Sequence, residues 1–215
     1  MLNRKPFYDS VRESIFGGSL TSGQVAGMDA ILNVWELKYI TRTPPTQLGY
    51  VLGTPCLETD RKMQPINEYG DAHYFHRMYD PDGARPQVAR QLGNLHPGDG
   101  VRYHGRGFVQ LTGLRNYTLA TTKLQALSIL RMSESLVVSP DLALRLDVAS
   151  TILFEGMEDG WFTGADLDKI IDPVVSGDEY ADYLKARSII NGADRAAIVA
   201  GYAEKFLTAI EAGMS

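Results

Sequence analysis

The chain has 215 residues, 44% of them hydrophobic and 22% charged, with a formal net charge of −5. That balance is ordinary for a globular protein of one domain, or one domain with a subsidiary lobe. It supplies no strong positive field for nucleic acid or for an anionic membrane surface. The single cysteine, Cys56, excludes an intrachain disulfide and reads as a small buried packing residue in a reducing compartment. The opening residues, MLNRKPFYDSVRESIF, lack the unbroken apolar core of a secretory signal. No segment approaches the roughly 18 apolar residues of a membrane span.

Phe7, Val11 and Ile15 recur at four-residue steps and predict a first helix that ends at Gly17-Gly18. Thr21 and Gln24 have capping-box spacing, and Val25, Met28, Ile31, Leu32 and Trp35 carry a second helix to about Tyr39. Thr43-Pro44-Pro45 reads as a third helix start, with Thr43 as the capping hydroxyl and the prolines where their missing N–H groups matter least. Leu48, Val51 and Leu52 give that helix a buried side, and Pro55 should kink or end it. From 65 to 105 the pattern is broken by Pro65, Pro81, Pro86 and Pro97 and by six glycines. This stretch reads as loops, short helices and a small hairpin, a composition suited to building a site on a helical frame. Helical patterning returns over 116–130 and 140–154, briefly within 163–172, and in a last pair at about 178–190 and 193–212. In the last helix Ile198, Tyr202, Phe206 and Ile210 repeat every four residues, and its mixed charges (Glu204, Lys205, Glu211) favour core packing over a membrane role.

The chemistry is suggested by the stretch Tyr103-His104-Gly105-Arg106-Gly107-Phe108-Val109-Gln110-Leu111-Thr112-Gly113-Leu114-Arg115-Asn116-Tyr117, which follows two glutamates, Glu58 and Glu68. Glycosidic bond cleavage commonly uses two carboxyl groups. One protonates the leaving oxygen, and the other is a nucleophile or a base that activates water. An inverting enzyme needs them roughly 6.5–9.5 Å apart. Ten positions on one straight helix amount to about 15 Å of rise, which is too far. Pro65 favours a bend that permits a closer pairing. Thr112 carries a hydroxyl that both donates and accepts, which suits it to orient a water beside a carboxylate. Gln110 and Asn116 suit sugar hydroxyls and acetamido groups; the alternative is that they cap local backbone. Arg106, between two glycines, reads as a member of a structural ion pair.

The segment YHGRGFVQLTGLRNY resembles the signature of glycoside hydrolase family 19, the chitinase-like fold, and most of all its bacteriophage endolysin branch. FGGSLTSGQVAGMDAILNVWE resembles the N-terminal helices of that branch, LETDRKMQPINEYG its acid-bearing segment, LGNLHPGDG the approach to the signature, and ARSIINGADRAAIVAGYAEKF its C-terminal substrate-side segment. The resemblance implies a mainly α, lysozyme-like fold with a larger and a smaller lobe flanking a substrate cleft. It implies a single catalytic domain over 1–215, loop-rich at about 60–115, with no separate wall-binding domain. Carried over by position, Glu58 matches the general acid, Glu68 the base and Thr112 the hydroxyl that holds the water. Gln110, Asn116 and Asn191 match substrate-binding amides, and Tyr103 is a further candidate for sugar contact. The implied reaction is inverting hydrolysis of β-1,4 bonds in peptidoglycan glycan strands, with no metal and no cofactor, leading to bacterial lysis. The family usually has histidine immediately before the acid, where this chain has Leu57, preceded by Thr54-Pro55-Cys56.

Three other readings stay open: a chitinase acting on N-acetylglucosamine polymers, a zinc-dependent peptidoglycan amidase, and an impaired relative that binds glycan without cutting it. His73 and His76 lie three positions apart, so one helical face can present both to zinc, although loop histidines without a metal are the favoured reading. Asp80-Pro81-Asp82-Gly83 starts like a calcium loop but lacks the later ligands, and reads as a turn. Tyr69, Tyr74, Phe75, Tyr79 and Tyr103 suit sugar stacking, though aromatics at such spacing are more often core. The expected partners are peptidoglycan strands or chitin oligomers, with no nucleic acid, no stable membrane insertion and a monomeric chain. Synthesis is expected in the host bacterial cytoplasm, with holin-type or other release to the cell wall.

Overall fold

The computed structural model describes residues 1–171, 178–190 and 192–215. Among these residues the fold is mainly helical, with eleven α-helices and one two-stranded sheet. No described helix is long and apolar enough to cross a membrane. The chain forms two compact units: residues 1–64 with 153–215, and residues 65–152.

Helix α1 spans Arg4–Ser14 and starts at Asn3, whose side chain accepts from the Lys5 N–H. Helix α2 (Ser22–Val34) starts with the expected capping box. Gln24 N donates to Thr21 Oγ1 at 3.2 Å, and Thr21 N donates to Gln24 Oε1 at 2.8 Å. A π-helical turn, Trp35–Tyr39, extends it to the expected end.

Helix α3 spans Pro45–Glu58, and one local expectation fails there. The Thr43 hydroxyl does not cap it but donates to Glu158, and Pro44 holds the cap position without a side-chain bond. Pro55 neither ends nor replaces the last turn, because α3 continues to Glu58. A mid-helix proline costs about 3 kcal/mol. Leu48, Tyr50, Val51 and Leu52 are fully buried, each side chain contributing about 1.5–3 kcal/mol, so tertiary packing outweighs the local penalty.

The second unit begins with strand β1 (Ile66–Asn67), followed by α4 (Ala72–Tyr79), α5 (Pro86–Leu92), α6 (Asp99–Arg102) and strand β2 (Arg106–Gly107). The strands pair antiparallel, Ile66 opposite Gly107 and Asn67 opposite Arg106. The sheet therefore joins the two ends of the loop-rich region, where a hairpin of neighbouring strands was expected. Helix α7 spans Leu114–Ala126. The single helix expected over 140–154 is two elements, a 3-10 turn at Pro140–Leu144 and helix α8 (Leu146–Glu158), separated by extended backbone at Arg145. Arg106 has the structural role expected of it. Its Nε donates to Asp141 Oδ1 at 2.8 Å, and its Nη1 donates to the carbonyls of Arg102 and His104 and to the Tyr117 hydroxyl.

The chain returns to the first unit along α8 and adds α9 (Leu167–Ile170), α10 (Glu179–Ile190) and α11 (Ala196–Met214). Helix α11 packs closely on α3. A Cβ added to Gly49 would sit 2.9 Å from the Ala203 carbonyl oxygen, and one on Gly53 would sit 3.0 Å from the Ala203 nitrogen. The buried stripe of α11 runs through Val199, Ala203, Phe206 and Ile210. Ile198 is 48% exposed, so the stripe is displaced by one residue from the expected one at its start.

Candidate functional site

Glu68 follows β1, and its backbone N–H donates to the Gly105 carbonyl at 2.8 Å, which carries the pairing one residue past the sheet. Both carboxylate oxygens are held. Oε1 accepts from the Tyr79 hydroxyl at 2.7 Å, and Oε2 accepts from the Gly105 N–H at 3.0 Å. Tyr79 is the last residue of α4. Burial first, and the hydrogen bond to Glu68 second, push its phenol well above the ordinary value, so it stays a donor.

Gly105 is required by close approach. An added Cβ would lie 2.8 Å from Gln110 Oε1, 3.0 Å from Glu68 Oε2 and 3.2 Å from Glu68 Cβ. The same contacts place the Gln110 amide oxygen and the Glu68 carboxylate side by side over the Gly105 backbone. The signature segment makes a tight turn closed by paired bonds between Arg106 and Leu111, and Gln110 takes a left-handed conformation (φ 55°) within it. Gln110 Nε2 donates to the Gly107 carbonyl at 3.2 Å and the Ile66 carbonyl at 3.4 Å. Thr112 Oγ1 donates to the Gln110 carbonyl at 2.8 Å, and Asn116 Nδ2 donates to the Thr112 carbonyl at 2.8 Å. The amide donors of Gln110 and Asn116 thus serve local backbone, while the Gln110 amide oxygen faces the carboxylate side.

His104 lines the other side of this strand pair. Its ring stacks on Phe75 at 4.3 Å, Nδ1 is 2.7 Å from the Val101 carbonyl, and Nε2 is 3.3 Å from the Asn67 side chain. Burial lowers its pKa. A neutral ring then donates from Nδ1 to Val101 and accepts at Nε2, which requires Asn67 to present its amide nitrogen. Tyr103 is only 5% exposed. It packs on Tyr117, and its hydroxyl donates to the Val137 carbonyl at 3.3 Å. Its ring is a packing element here, whereas Tyr69 is 64% exposed.

Glu58 belongs to the other unit, as the last residue of α3. Its Oε1 accepts from Arg187 Nη1 at 2.6 Å, and Arg187 Nε donates to the Asp194 carbonyl at 2.9 Å. The Arg187 side chain is 4% exposed and that of Glu58 20%. Cys56 is fully buried as expected, and burial pushes its thiol up to about 12, which removes it as a nucleophile. Asn191 lies outside the described residues.

Sequence reasoning missed Tyr79 as a partner of Glu68 and Arg187 as the partner of Glu58. Tyr79 stood among the aromatics only as a stacking candidate, and nothing near Arg187 in the chain points to Glu58. No protein-family model matches this chain, and no curated protein matches it.

Proposed function

We propose that the chain is an inverting glycoside hydrolase of the family 19 type, an endolysin-like enzyme that cleaves β-1,4 bonds of peptidoglycan glycan strands and so lyses bacterial cells. The reading rests on the segments that resemble that family. One geometric observation carries it: the Glu68 carboxylate is fixed at both oxygens, by Tyr79 and by Gly105 of the signature segment, beside Gln110.

Glu68 is the general base. A carboxylate offers about four lone-pair sites, and two are occupied here, so Glu68 can also accept a proton from water. The Thr112 hydroxyl hydrogen is committed to the Gln110 carbonyl, so toward a water Thr112 acts as an acceptor. A water that donates one hydrogen to Glu68 and the other to Thr112 keeps a lone pair for the anomeric carbon. As its oxygen bonds to that carbon from one face, the glycosidic bond breaks on the other. Glu68 takes the water proton, and Glu58 gives its proton to the leaving oxygen. Arg187 engages Oε1 of Glu58, so Oε2 is the oxygen left to face the leaving group. The side-chain carbonyl oxygens of Gln110 and Asn116 accept from the acetamido N–H and hydroxyl groups of the sugar, their amide donors being held by backbone, and Asn191 is a third reader. The lysozyme-like cleft, action as a monomer, and release from the host cytoplasm through a holin-type route belong to the same proposal.

The test is reducing-end release from purified peptidoglycan by the wild type, Glu58→Gln and Glu68→Gln. Each variant should fall by about 10²-fold or more, the usual worth of acid–base catalysis. Equal rates for all three would show that these carboxylates do not carry the reaction. Product mass analysis with chitin oligomers alongside identifies the sugar at the new reducing end and separates peptidoglycan from chitin cleavage. A second reading, a relative that binds glycan without cutting it, is favoured by the ion pair that occupies Glu58. Wild-type protein that binds insoluble peptidoglycan and releases nothing would select it.

A further inference from the structure

Asp80 follows α4 and is fully buried. Its Oδ1 accepts the backbone N–H groups of Gly98 at 2.8 Å and Gly100 at 3.0 Å. Its Oδ2 is equally buried and has no hydrogen-bond partner. An unpartnered carboxylate oxygen is costly to bury, and such atoms mark places where a partner is missing from the accounting. Two other ligand-type groups lie near it. His76 Nδ1 lies 4.0 Å from it, and His76 Nε2 lies 3.7 Å from Asp82 Oδ1. One ligand atom from each of His76, Asp80 and Asp82 falls within 4.8 Å of the others.

We propose that His76, Asp80 and Asp82 bind a divalent transition-metal ion of the zinc class, with solvent completing the coordination. Metal–ligand bonds of about 2.0–2.2 Å put neighbouring ligand atoms of a tetrahedral site about 3.4 Å apart. The His76 and Asp82 side chains are 45% and 57% exposed, so side-chain rotation can close the gap while Asp80 stays anchored by Gly98 and Gly100. The imidazole selects the metal class, because calcium and magnesium sites are built from oxygen ligands. A cavity of about 250 Å³ lined by His73, His76, Arg77, Asp82, Gly83 and Ala84 reaches two of the three ligands, His76 and Asp82. Arg77 brings a positive charge into that lining, which weakens cation binding. Bound metal ties the end of α4 to the turn at 80–83, one residue from Tyr79. The site stands independently of the glycosidase reading.

The experiment is isothermal titration of the chelator-stripped full chain with zinc at pH 7.5, with thermal unfolding in parallel. Expected are one zinc per chain and a higher melting temperature when loaded. His76→Gln and Asp82→Asn, both at exposed positions that leave the core intact, should each weaken binding by about tenfold or more, as the loss of a metal-site partner does. His73→Gln, which alters the same cavity outside the ligand set, should bind like wild type. Absence of saturable zinc binding would overturn the proposal. So would weakening by His73→Gln equal to that by His76→Gln, or calcium binding as tight as zinc.

Discussion

Gly105→Ala separates the geometry of the Glu68 site from the stability of the fold. The added methyl would meet Gln110 Oε1 at 2.8 Å and Glu68 Oε2 at 3.0 Å, where ordinary contact begins near 3.4 Å. Both are the far ends of flexible side chains, so each can retreat by about half an ångström, while Glu68 Cβ, at 3.2 Å, must give by about 0.2 Å with its backbone. Gly105 is not among the residues at positive φ, so alanine adds no backbone strain, and its effect on the unfolded chain is favourable by about 0.4–1 kcal/mol. Stability should therefore change by no more than about 1 kcal/mol, with the strained Gly105–Glu68 hydrogen bond offsetting the chain-entropy gain. Catalysis responds differently, since a 1 Å misplacement of a reacting group costs about 10²-fold. A half-ångström shift of the base then costs about tenfold. Reducing-end release from peptidoglycan measures the rate, and urea unfolding of the same preparations measures stability. Wild-type turnover in a folded Gly105→Ala protein would refute the assignment of Glu68 and Gln110 to the reacting centre.

Tyr79→Phe removes the 2.7 Å donor to Glu68 and should lower kcat by about tenfold with little change in KM, the worth of one hydrogen bond to a charged group. A change confined to KM would place Tyr79 in substrate binding instead. Arg187→Met leaves Glu58 without its buried partner and should cost about 3 kcal/mol in urea unfolding; a loss below about 1 kcal/mol would mark the pair as screened by solvent. His104 has its pKa lowered from 6.5 by burial, so below that pH the unfolded chain takes up a proton that the folded chain refuses. Stability should therefore fall as pH drops from about 6.5 to the lower folded value, by at most about 1.4 kcal/mol per pH unit from this group, and His104→Gln should flatten that slope. An unchanged slope would show that another group governs it. Native Cys56 should resist thiol reagents at pH 8 and react fully in denaturant; rapid labelling of the native chain would contradict its burial.

Legibility followed the range of each interaction. The capping box at Thr21 and Gln24 needs only residues three apart, so spacing sufficed. Thr43 has the same local credentials as a cap, yet its hydroxyl is taken by Glu158, which stands 115 positions away. Pro55 is accommodated three residues before the end of α3, where Gly49 and Gly53 let that helix approach the α11 backbone. The one-residue displacement on α11 has the same origin. Val199 and Ala203 meet α3 at the close crossing, which leaves Ile198 outside. The two strands of the sheet are short and separated by three helices, so no periodicity marks them.

The two candidate carboxylates differ in the same way. Glu68 is held by Tyr79, eleven positions on, and by the backbone of Gly105, itself inside the segment that stood out in the sequence. Glycine there reads as a turn, but the structure makes it the one residue whose absent side chain leaves room for the base and its neighbouring amide. Glu58 is held by Arg187 across 129 positions, where no spacing rule reaches. The local departures beside Glu58, Pro55 and Leu57, drew attention to a weakness in the helix, yet the helix is intact through Glu58. The stronger constraint on this carboxylate is the guanidinium, so on the proposed reading the acid already carries a partner on one oxygen.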